Sequence, residues 1–224
     1  MTDRAPAVLF DVDGTLVDSN YLHVHAWTRA FHDVGIAAPS WQIHRSIGMD
    51  GSTLVKKLSR GADDDTRARL EELHSRYYKE LSPLLRVLPG GREILERVAE
   101  RGLQVVLATS APDDELAILR ELIDRDELVS EVTSAGDVDT AKPNPDIIKV
   151  ALDRAGVTAA QAVFVGDAVW DAEACARAGV TCIGLLSGGV SRDELTDGGA
   201  QAVYTDASEL CERLDDSPIA SLGT

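Results

Sequence analysis

Two aspartates two positions apart are the first residues of this chain that could do chemistry. Residues 11–15 read Asp-Val-Asp-Gly-Thr and directly follow an apolar run over residues 7–10. An apolar run that ends in turn residues is typical of a buried strand leading into a loop. Because strand side chains alternate between faces, Asp11 and Asp13 should point to the same side of the sheet. Their carboxylates and the hydroxyl of Thr15 would suit a hard cation and a phosphate group.

Three further polar motifs follow later strand patterns. They contain the residues Thr109, Ser110, Lys142, Gly166, Asp167 and Asp171. In open parallel sheets, ligands bind at the carboxyl ends of the strands, where the strand order reverses. Each motif alone could be a turn, a helix cap or a solvated lysine. All four motifs in this order, each at a strand end, favour a single shared pocket.

Charge indicates which chemistry this set of residues predicts. A phosphate monoester dianion resists attack by an anion, and its uncatalysed hydrolysis is among the slowest reactions known. Mg²⁺ screens that repulsion and holds a carboxylate and a phosphoryl oxygen together. We predict Mg²⁺ held by the carboxylates of Asp11 and Asp167 and by the backbone carbonyl of Asp13. Asp171 would assist this metal site indirectly or through water.

The two aspartates of the first motif have different predicted roles, one in phosphoryl transfer and the other in proton transfer. Asp11 is the predicted nucleophile, which attacks phosphorus and forms an aspartyl phosphate. Asp13 is the predicted general acid and base, which protonates the leaving alkoxide and then takes a proton from water. The result would be hydrolysis of a phosphate ester.

The remaining core residues are predicted to bind the phosphoryl group. Lys142 would neutralise charge on the carboxylate and phosphoryl oxygens. Thr109 and the N–H groups of Gly14 and Ser110 would hold the phosphoryl oxygens in line, with Thr15 beside them.

Alternating strand and helix patterns must position these residues. Strand-like runs at 103–108, 129–134, 162–165, 180–186 and 202–204 are separated by helical ones. This alternation predicts an α/β fold with a parallel sheet covered on both faces. A βαβ unit needs about 30 residues, but a far longer stretch separates the first two strands. Helical patterns alone fill that stretch, which predicts a helical insertion over residues 17–85.

The four motifs resemble those of the haloacid dehalogenase-like (HAD) superfamily over nearly the whole chain. Residues 11–15 resemble its first motif, Thr109 its second, Lys142 its third and residues 166–171 its fourth. The insertion after the first motif is similar to the C1 cap of the subfamily that includes phosphoglycolate phosphatase and beta-phosphoglucomutase. The resemblance implies a covalent phospho-aspartate, a mobile helical cap domain and a Rossmann-like core.

The implied domains are a catalytic core over residues 1–16 and 86–224 and a cap over 17–85. In the cap, the loop over residues 45–51 is expected to face the pocket, with Arg45 and Gly48 as substrate contacts.

The second acid of the first motif separates activities within this superfamily. Dehalogenases of similar shape lack an acid at that position, so Asp13 favours a phosphate ester. A phosphatase and a sugar phosphomutase of the beta-phosphoglucomutase type both need that acid. Asp50 in the cap loop is a poor partner for a second phosphate, which favours the phosphatase.

Two other classes of protein stay open. A phospho-accepting domain of the response-regulator type also gathers acids, a threonine or serine and a lysine at strand ends, but its acceptor aspartate ends a later strand. A binding protein without activity would not need every catalytic side chain that is present here. The five histidines are expected at the surface or in packing, with His23 alone kept as a candidate substrate contact.

Composition limits the partners. The net charge of −16 would repel nucleic acid and anionic membranes, so we expect a small phosphorylated metabolite as partner. No apolar run is long enough to span a membrane, and the three cysteines lack metal-ligand spacing. We expect a cytoplasmic monomer or homodimer, with a disordered tail after about residue 214.

Overall fold

A six-stranded parallel sheet forms the centre of the computed structural model, which describes residues 4–138, 140 and 142–223. Its order is β3-β2-β1-β4-β5-β6. The strands are β1 (Ala7–Phe10), β2 (Gln104–Ala108), β3 (Val129–Thr133), β4 (Ala162–Gly166), β5 (Thr181–Leu185) and β6 (Ala202–Tyr204). The order reverses at β1, so the crevice where ligands bind in such sheets lies beside this strand.

Helices cover both faces of the sheet, as predicted. They are α1 (Asn20–Asp33), α2 (Ser40–His44), α3 (Gly51–Leu58), α4 (Asp64–Leu81), α5 (Gly91–Glu100), α6 (Asp113–Ile123), α7 (Asp146–Ala155), α8 (Val169–Ala178), α9 (Arg192–Gly198) and α10 (Ala207–Glu212). Within the described residues, no helix is both long enough and apolar enough to cross a membrane.

The alternation of side chains along β1 creates two hydrophobic cores. Val8 and Phe10 join one buried cluster, while Ala7 and Leu9 join a second cluster on the other face of the sheet. All four side chains are fully buried. A strand buried on both faces is what a central parallel position requires, and it explains the continuous apolar run.

Helices α1–α4 form the insertion between β1 and α5. Helix α1 packs against α4, and two linkers join this bundle to the core. The N–H of Asp18 donates to the carbonyl of Arg86 (2.8 Å), and that of Leu88 donates to the carbonyl of Leu16 (2.9 Å). The linkers therefore run side by side. The predicted domain boundaries at residues 17 and 85 stay a prediction, and they fall at this junction.

The predicted disorder after residue 214 is wrong for the part of the tail that the structure describes. Two 3₁₀ turns occupy Leu214–Asp216 and Pro218–Gly223. The side chains of Leu214 and Ile219 are buried in the same cluster as Phe10. Although this segment is mostly polar, the burial of its two apolar side chains holds it against the core.

Candidate active site

The candidate active site lies at the carboxyl ends of β1, β2 and β4, beneath the helical insertion. A cavity of about 280 Å³ opens there between core and insertion. From the core it is lined by Asp11, Asp13, Thr109, Ser110, Pro112 and Glu115. From the insertion it is lined by His23, Trp27, Gly48, Met49, Glu71 and His74. The volume is below the roughly 300 Å³ at which drug-sized pockets begin, so it suits a small ligand.

A buried lysine joins two of the predicted acidic residues. The Nζ atom of Lys142 lies 3.0 Å from Oδ1 of Asp11 and 2.8 Å from Oδ1 of Asp171. Burial alone would lower the pKa of Lys142, but the two carboxylates outweigh it and raise that pKa. The lysine is therefore charged, and it fixes the predicted nucleophile.

Three buried carboxylates converge as a metal site would require. Asp11, Asp167 and Asp171 each place one oxygen within 4.8 Å of the others. Burial raises the pKa of Asp11 to about 7, despite Lys142, with repulsion from Asp171 adding to the rise. Burial and the same repulsion raise the pKa of Asp167 well above its usual range. The single charge of Lys142 therefore does not balance the three carboxylates. Their oxygen atoms form a donor set that fits a hard divalent cation.

Asp171 is less free than the other two carboxylates. Its Oδ1 faces Lys142, and its Oδ2 accepts a hydrogen bond from the N–H of Ala168 (3.0 Å). Both oxygens are therefore engaged by the protein. This geometry agrees with the predicted indirect role of Asp171, which holds the lysine and the start of α8.

The loop residues Gly14 and Thr15 are not among the residues that line the cavity, and their role as substrate-binding residues stays a prediction. The hydroxyl of Thr15 donates to Oδ1 of Asp167 (2.7 Å), and the N–H of Gly14 donates to the carbonyl of Val17 (2.8 Å). Gly14 has a φ of +73°, and a Cβ there would lie 2.3 Å from Oδ2 of Asp167. Both residues serve the carboxylate of Asp167 because the tight turn brings them against it.

The phosphate-side residues Thr109 and Ser110 do line the cavity, as predicted. Thr109 is 1% exposed, and its hydroxyl accepts a hydrogen bond from the N–H of Ala111 (3.1 Å). The loop after β2 is thereby held in a fixed turn at the edge of the cavity.

Of the two insertion residues that were predicted as substrate contacts, one lines the cavity. Gly48 lines the cavity with a φ of +93°, and a Cβ there would lie 2.8 Å from that of Ala168. Arg45 instead forms an exposed ion pair with Glu194. Arg45 is not among the residues that line the cavity, because its guanidinium pairs with Glu194 of α9, and its contact with the substrate stays a prediction.

The start of helix α1 supplies contacts to the acidic residues, of which the sequence reasoning singled out only His23, as a candidate substrate contact, and missed Ser19 and Asn20. Ser19 donates to Oδ1 of Asp13 (2.6 Å), and Nε2 of His23 lies 3.2 Å from the same oxygen. Asn20 donates to Oδ2 of Asp167 (2.8 Å). The signal was present in the spacing, since residues 19, 20 and 23 share one face of a helix.

His23 is the polar link between the insertion and the core. Its Nδ1 lies 3.0 Å from Nε2 of His74, and its ring stacks on Tyr78 with centroids 3.9 Å apart. Burial alone would lower the pKa of His23, but Asp13 outweighs it and raises that pKa. Burial would raise the pKa of Asp13, but His23 and Ser19 lower it. The histidine is thus positioned as a charged partner of Asp13. Burial lowers the pKa of His74, which packs as a neutral ring.

Known proteins with similar sequences and structures point to one family. The family model described as haloacid dehalogenase-like hydrolase matches residues 8–185. A phosphoglycolate phosphatase from Rhodospirillum rubrum is 30% identical over 218 residues, covering 93% of this chain and 90% of that protein. The crystal structure of a hydrolase from Pseudomonas syringae is 37% identical, with a TM-score of 0.90, over 94% of this chain and 98% of its own.

A beta-phosphoglucomutase from Clostridium difficile shares the fold at low identity. It is 19% identical, with a TM-score of 0.83, over 95% of this chain and 96% of its own. These matches confirm the resemblance drawn from the four motifs, together with the α/β fold class.

Proposed function

We propose a reaction for this chain, which belongs to the haloacid dehalogenase-like hydrolases. It is a phosphatase of that family, and we infer that it uses Mg²⁺ and an aspartyl phosphate on Asp11 to hydrolyse a small phosphorylated metabolite. One observation carries the proposal: Asp11, at the edge of the cavity, is held by the buried Lys142 beside the carboxylate of Asp167.

The proposed reaction forms and breaks two bonds to phosphorus. An oxygen of Asp11 attacks phosphorus, the bond to the alcohol oxygen breaks, and that oxygen takes a proton from Asp13. Water then attacks the phosphorus of the aspartyl phosphate and gives its proton to Asp13, which releases phosphate and restores Asp11. The proton that Asp13 gives to the alcohol in the first step is replaced by the proton that it takes from water in the second.

The proton for the leaving group is held at the contact between His23 and Asp13. The Nε2 of the charged imidazole lies 3.2 Å from Oδ1 of Asp13, so a proton can pass between these two atoms. Ser19 donates to the same oxygen and fixes the carboxylate in place. The pair therefore supports an acid at Asp13 in the first step and a base there in the second.

The metal would be held by Asp11, Asp167 and the backbone carbonyl of Asp13. When bound, Mg²⁺ supplies positive charge against which a carboxylate and a phosphate dianion can approach. Thr15 and Asn20 orient Asp167 for this role through their hydrogen bonds to its two oxygens.

A sugar phosphomutase of the beta-phosphoglucomutase type is the alternative. It must hold a second phosphate, which calls for cationic side chains in the cavity. In the described part of the chain, no lysine or arginine lines this cavity, and Lys142, which lines the cavity next to it, is held between Asp11 and Asp171. The lining therefore favours hydrolysis over isomerisation.

Trapping the intermediate tests this function. Rapid acid quenching during turnover of p-nitrophenyl phosphate with Mg²⁺ should give protein carrying one phosphoryl group on Asp11, located by peptide mass spectrometry. Asp11→Asn should give no adduct and lose turnover by at least about a thousandfold. Asp18→Asn, an exposed change in the adjoining linker, is the matched control and should keep both.

Three outcomes would contradict the proposal. Full turnover by Asp11→Asn would remove the nucleophile, and undiminished turnover in a chelator would remove the metal. Isomerisation of glucose phosphates faster than their hydrolysis would establish the phosphomutase instead.

A further inference from the structure

The charge of the cavity bears on which phosphate esters it accepts. Beyond the reacting groups Asp11 and Asp13, three more acids line it: Asp50, Glu71 and Glu115. Among residues 4–138, 140 and 142–223, neither a lysine nor an arginine joins them. The alcohol portion of a substrate would therefore meet negative charge on several sides.

Glu115 is a buried acid with one carboxylate oxygen left without a partner among the described residues. Its residue is 2% exposed, and its Oε1 atom has no hydrogen-bond partner in the described chain. Burial raises the pKa of Glu115 and outweighs the attraction of His23 and a hydrogen bond with Ser75, with repulsion from Asp13 adding to the rise. A buried carboxylate oxygen without a donor costs free energy, which a bound donor would recover.

Glu71 and Asp50 extend the negative lining toward the cavity mouth. Within the described residues, Glu71 has no ion pair or hydrogen bond, and burial together with Asp50 raises its pKa. Asp50 keeps its charge because its Oδ1 accepts hydrogen bonds from the N–H of Thr53 (3.0 Å) and the hydroxyl of Ser52 (2.5 Å). Neither acid is neutralised by the protein.

Among the described lining residues, His23 is the charged base, and it is already engaged. His23 uses Nε2 for Asp13 and Nδ1 for His74, so neither nitrogen is free for a substrate anion. Burial lowers the pKa of His74, so it offers no positive charge. Lys142 lines the neighbouring cavity, which shares Asp50 and Ser110 with this one, but its ammonium group is buried and held between Asp11 and Asp171.

We propose that the preferred substrate is a small phosphate monoester whose alcohol portion carries an ammonium group and no second anion. This rests on the proposed phosphatase function and adds to it the charge of the leaving group. An ammonium group would donate to Glu115 and lie in the negative potential of Glu71 and Asp50. The carboxylate of phosphoglycolate would meet the same acids with no cation to balance it, so this chain should differ from relatives named for that substrate.

Three esters of similar size test the charge alone. Initial rates of phosphate release with Mg²⁺ should be measured for phosphoethanolamine, glycerol phosphate and phosphoglycolate, with p-nitrophenyl phosphate as the reporter of basal turnover. We expect kcat/KM to fall in that order, with a factor of about ten or more between the first and the last, the scale of one charge contact.

Variants of the lining acids assign the preference to them. Glu71→Gln, at an exposed position, should reduce the ratio of phosphoethanolamine to phosphoglycolate, and Glu115→Gln should reduce it further. Glu72→Gln is the matched control, because its side chain is 68% exposed, pairs with Arg69 and lies outside the lining. It should leave the ratio unchanged.

The outcomes separate this inference from the function on which it rests. If p-nitrophenyl phosphate is hydrolysed, three results overturn the ammonium preference alone. They are equal rates on the three esters, faster hydrolysis of phosphoglycolate, and no hydrolysis of phosphoethanolamine. A ratio that Glu71→Gln and Glu115→Gln both leave intact overturns it too. Absence of turnover on every ester, p-nitrophenyl phosphate included, overturns the phosphatase proposal and the preference with it.

Discussion

The two halves of the cavity are built on opposite principles. On the core side, charged groups compensate one another: Lys142 lies between Asp11 and Asp171, and Asp167 accepts from Thr15 and Asn20. On the insertion side, aromatic rings stack, and Asp50 and Glu71 face the cavity without a lysine or arginine beside them in the described chain.

The difference separates two tasks. Paired charges on rigid strand ends hold a nucleophile at one position, which any phosphate ester needs. Within the described residues, acids without a lysine or arginine partner lie at Asp50 and Glu71 in the insertion and at Glu115 on helix α6 of the core, and their negative potential discriminates among alcohols. Changes of the charge-paired groups at the strand ends should therefore abolish turnover of all esters, whereas changes of these three acids should alter the choice among them.

Removing the buried lysine is the strongest test of this contrast. Lys142→Met keeps the volume but leaves Asp11 and Asp171 buried without a cation, a change that costs about 3–5 kcal/mol of unfolding free energy. Denaturant unfolding in the absence of metal should measure that loss, and turnover should fall on every ester alike.

An exposed lysine supplies the control for this test. Lys149→Met removes a side chain that is 59% exposed, and its effect should stay within about 0.5 kcal/mol. A stability loss for Lys142→Met no larger than that of Lys149→Met would show that the core side does not depend on paired charge.

The core side could be predicted from sequence because its residues lie directly after strand patterns. The position of Asp11, Thr109, Lys142 and Asp167 follows from the rule that parallel strands end at one edge of the sheet. Their convergence in the structure needed no knowledge of side-chain packing. The α/β fold and the helical insertion followed from periodicity in the same way.

The insertion side could not be predicted, because tertiary packing sets it. Arg45 looked like an anion-binding residue, yet α9 offers it Glu194. On the core side too, Glu115 in the first turn of α6 is an acid that no sequence pattern singles out, and its burial beside the insertion depends on tertiary packing. Likewise, Leu214 and Ile219 are apolar anchors whose burial depends on a core formed by distant segments.

His23 joins the two halves, so its replacement should have an intermediate effect. His23→Gln keeps a hydrogen-bonding side chain but removes the proton held beside Asp13, and we expect kcat to fall by about ten- to a hundredfold. KM should change less, because the phosphate-side residues are untouched. Steady-state kinetics with glycerol phosphate, a neutral leaving group, measure both quantities.

The control for this variant lies on the same helix. His32→Gln changes a side chain that is 87% exposed and should leave both constants unaltered. A rise in KM with kcat unchanged would assign His23 to substrate binding rather than to proton transfer, and would place it with the selective half of the cavity.

Arg45→Ala should have the smallest effect, and it probes the claim that the insertion offers no cation. The side chain of Arg45 is 44% exposed and that of Glu194 is 37% exposed, so their ion pair contributes about 0.2–1 kcal/mol to stability. We expect kcat/KM for phosphoethanolamine and for phosphoglycolate to stay within about twofold of the parent chain, the scale of a change of less than 0.5 kcal/mol. A loss confined to phosphoglycolate would mean that the guanidinium leaves Glu194 and enters the cavity during turnover. The contrast between a compensated core side and an uncompensated insertion side would then hold only before substrate binds, and the proposed preference for an ammonium group would lose its basis.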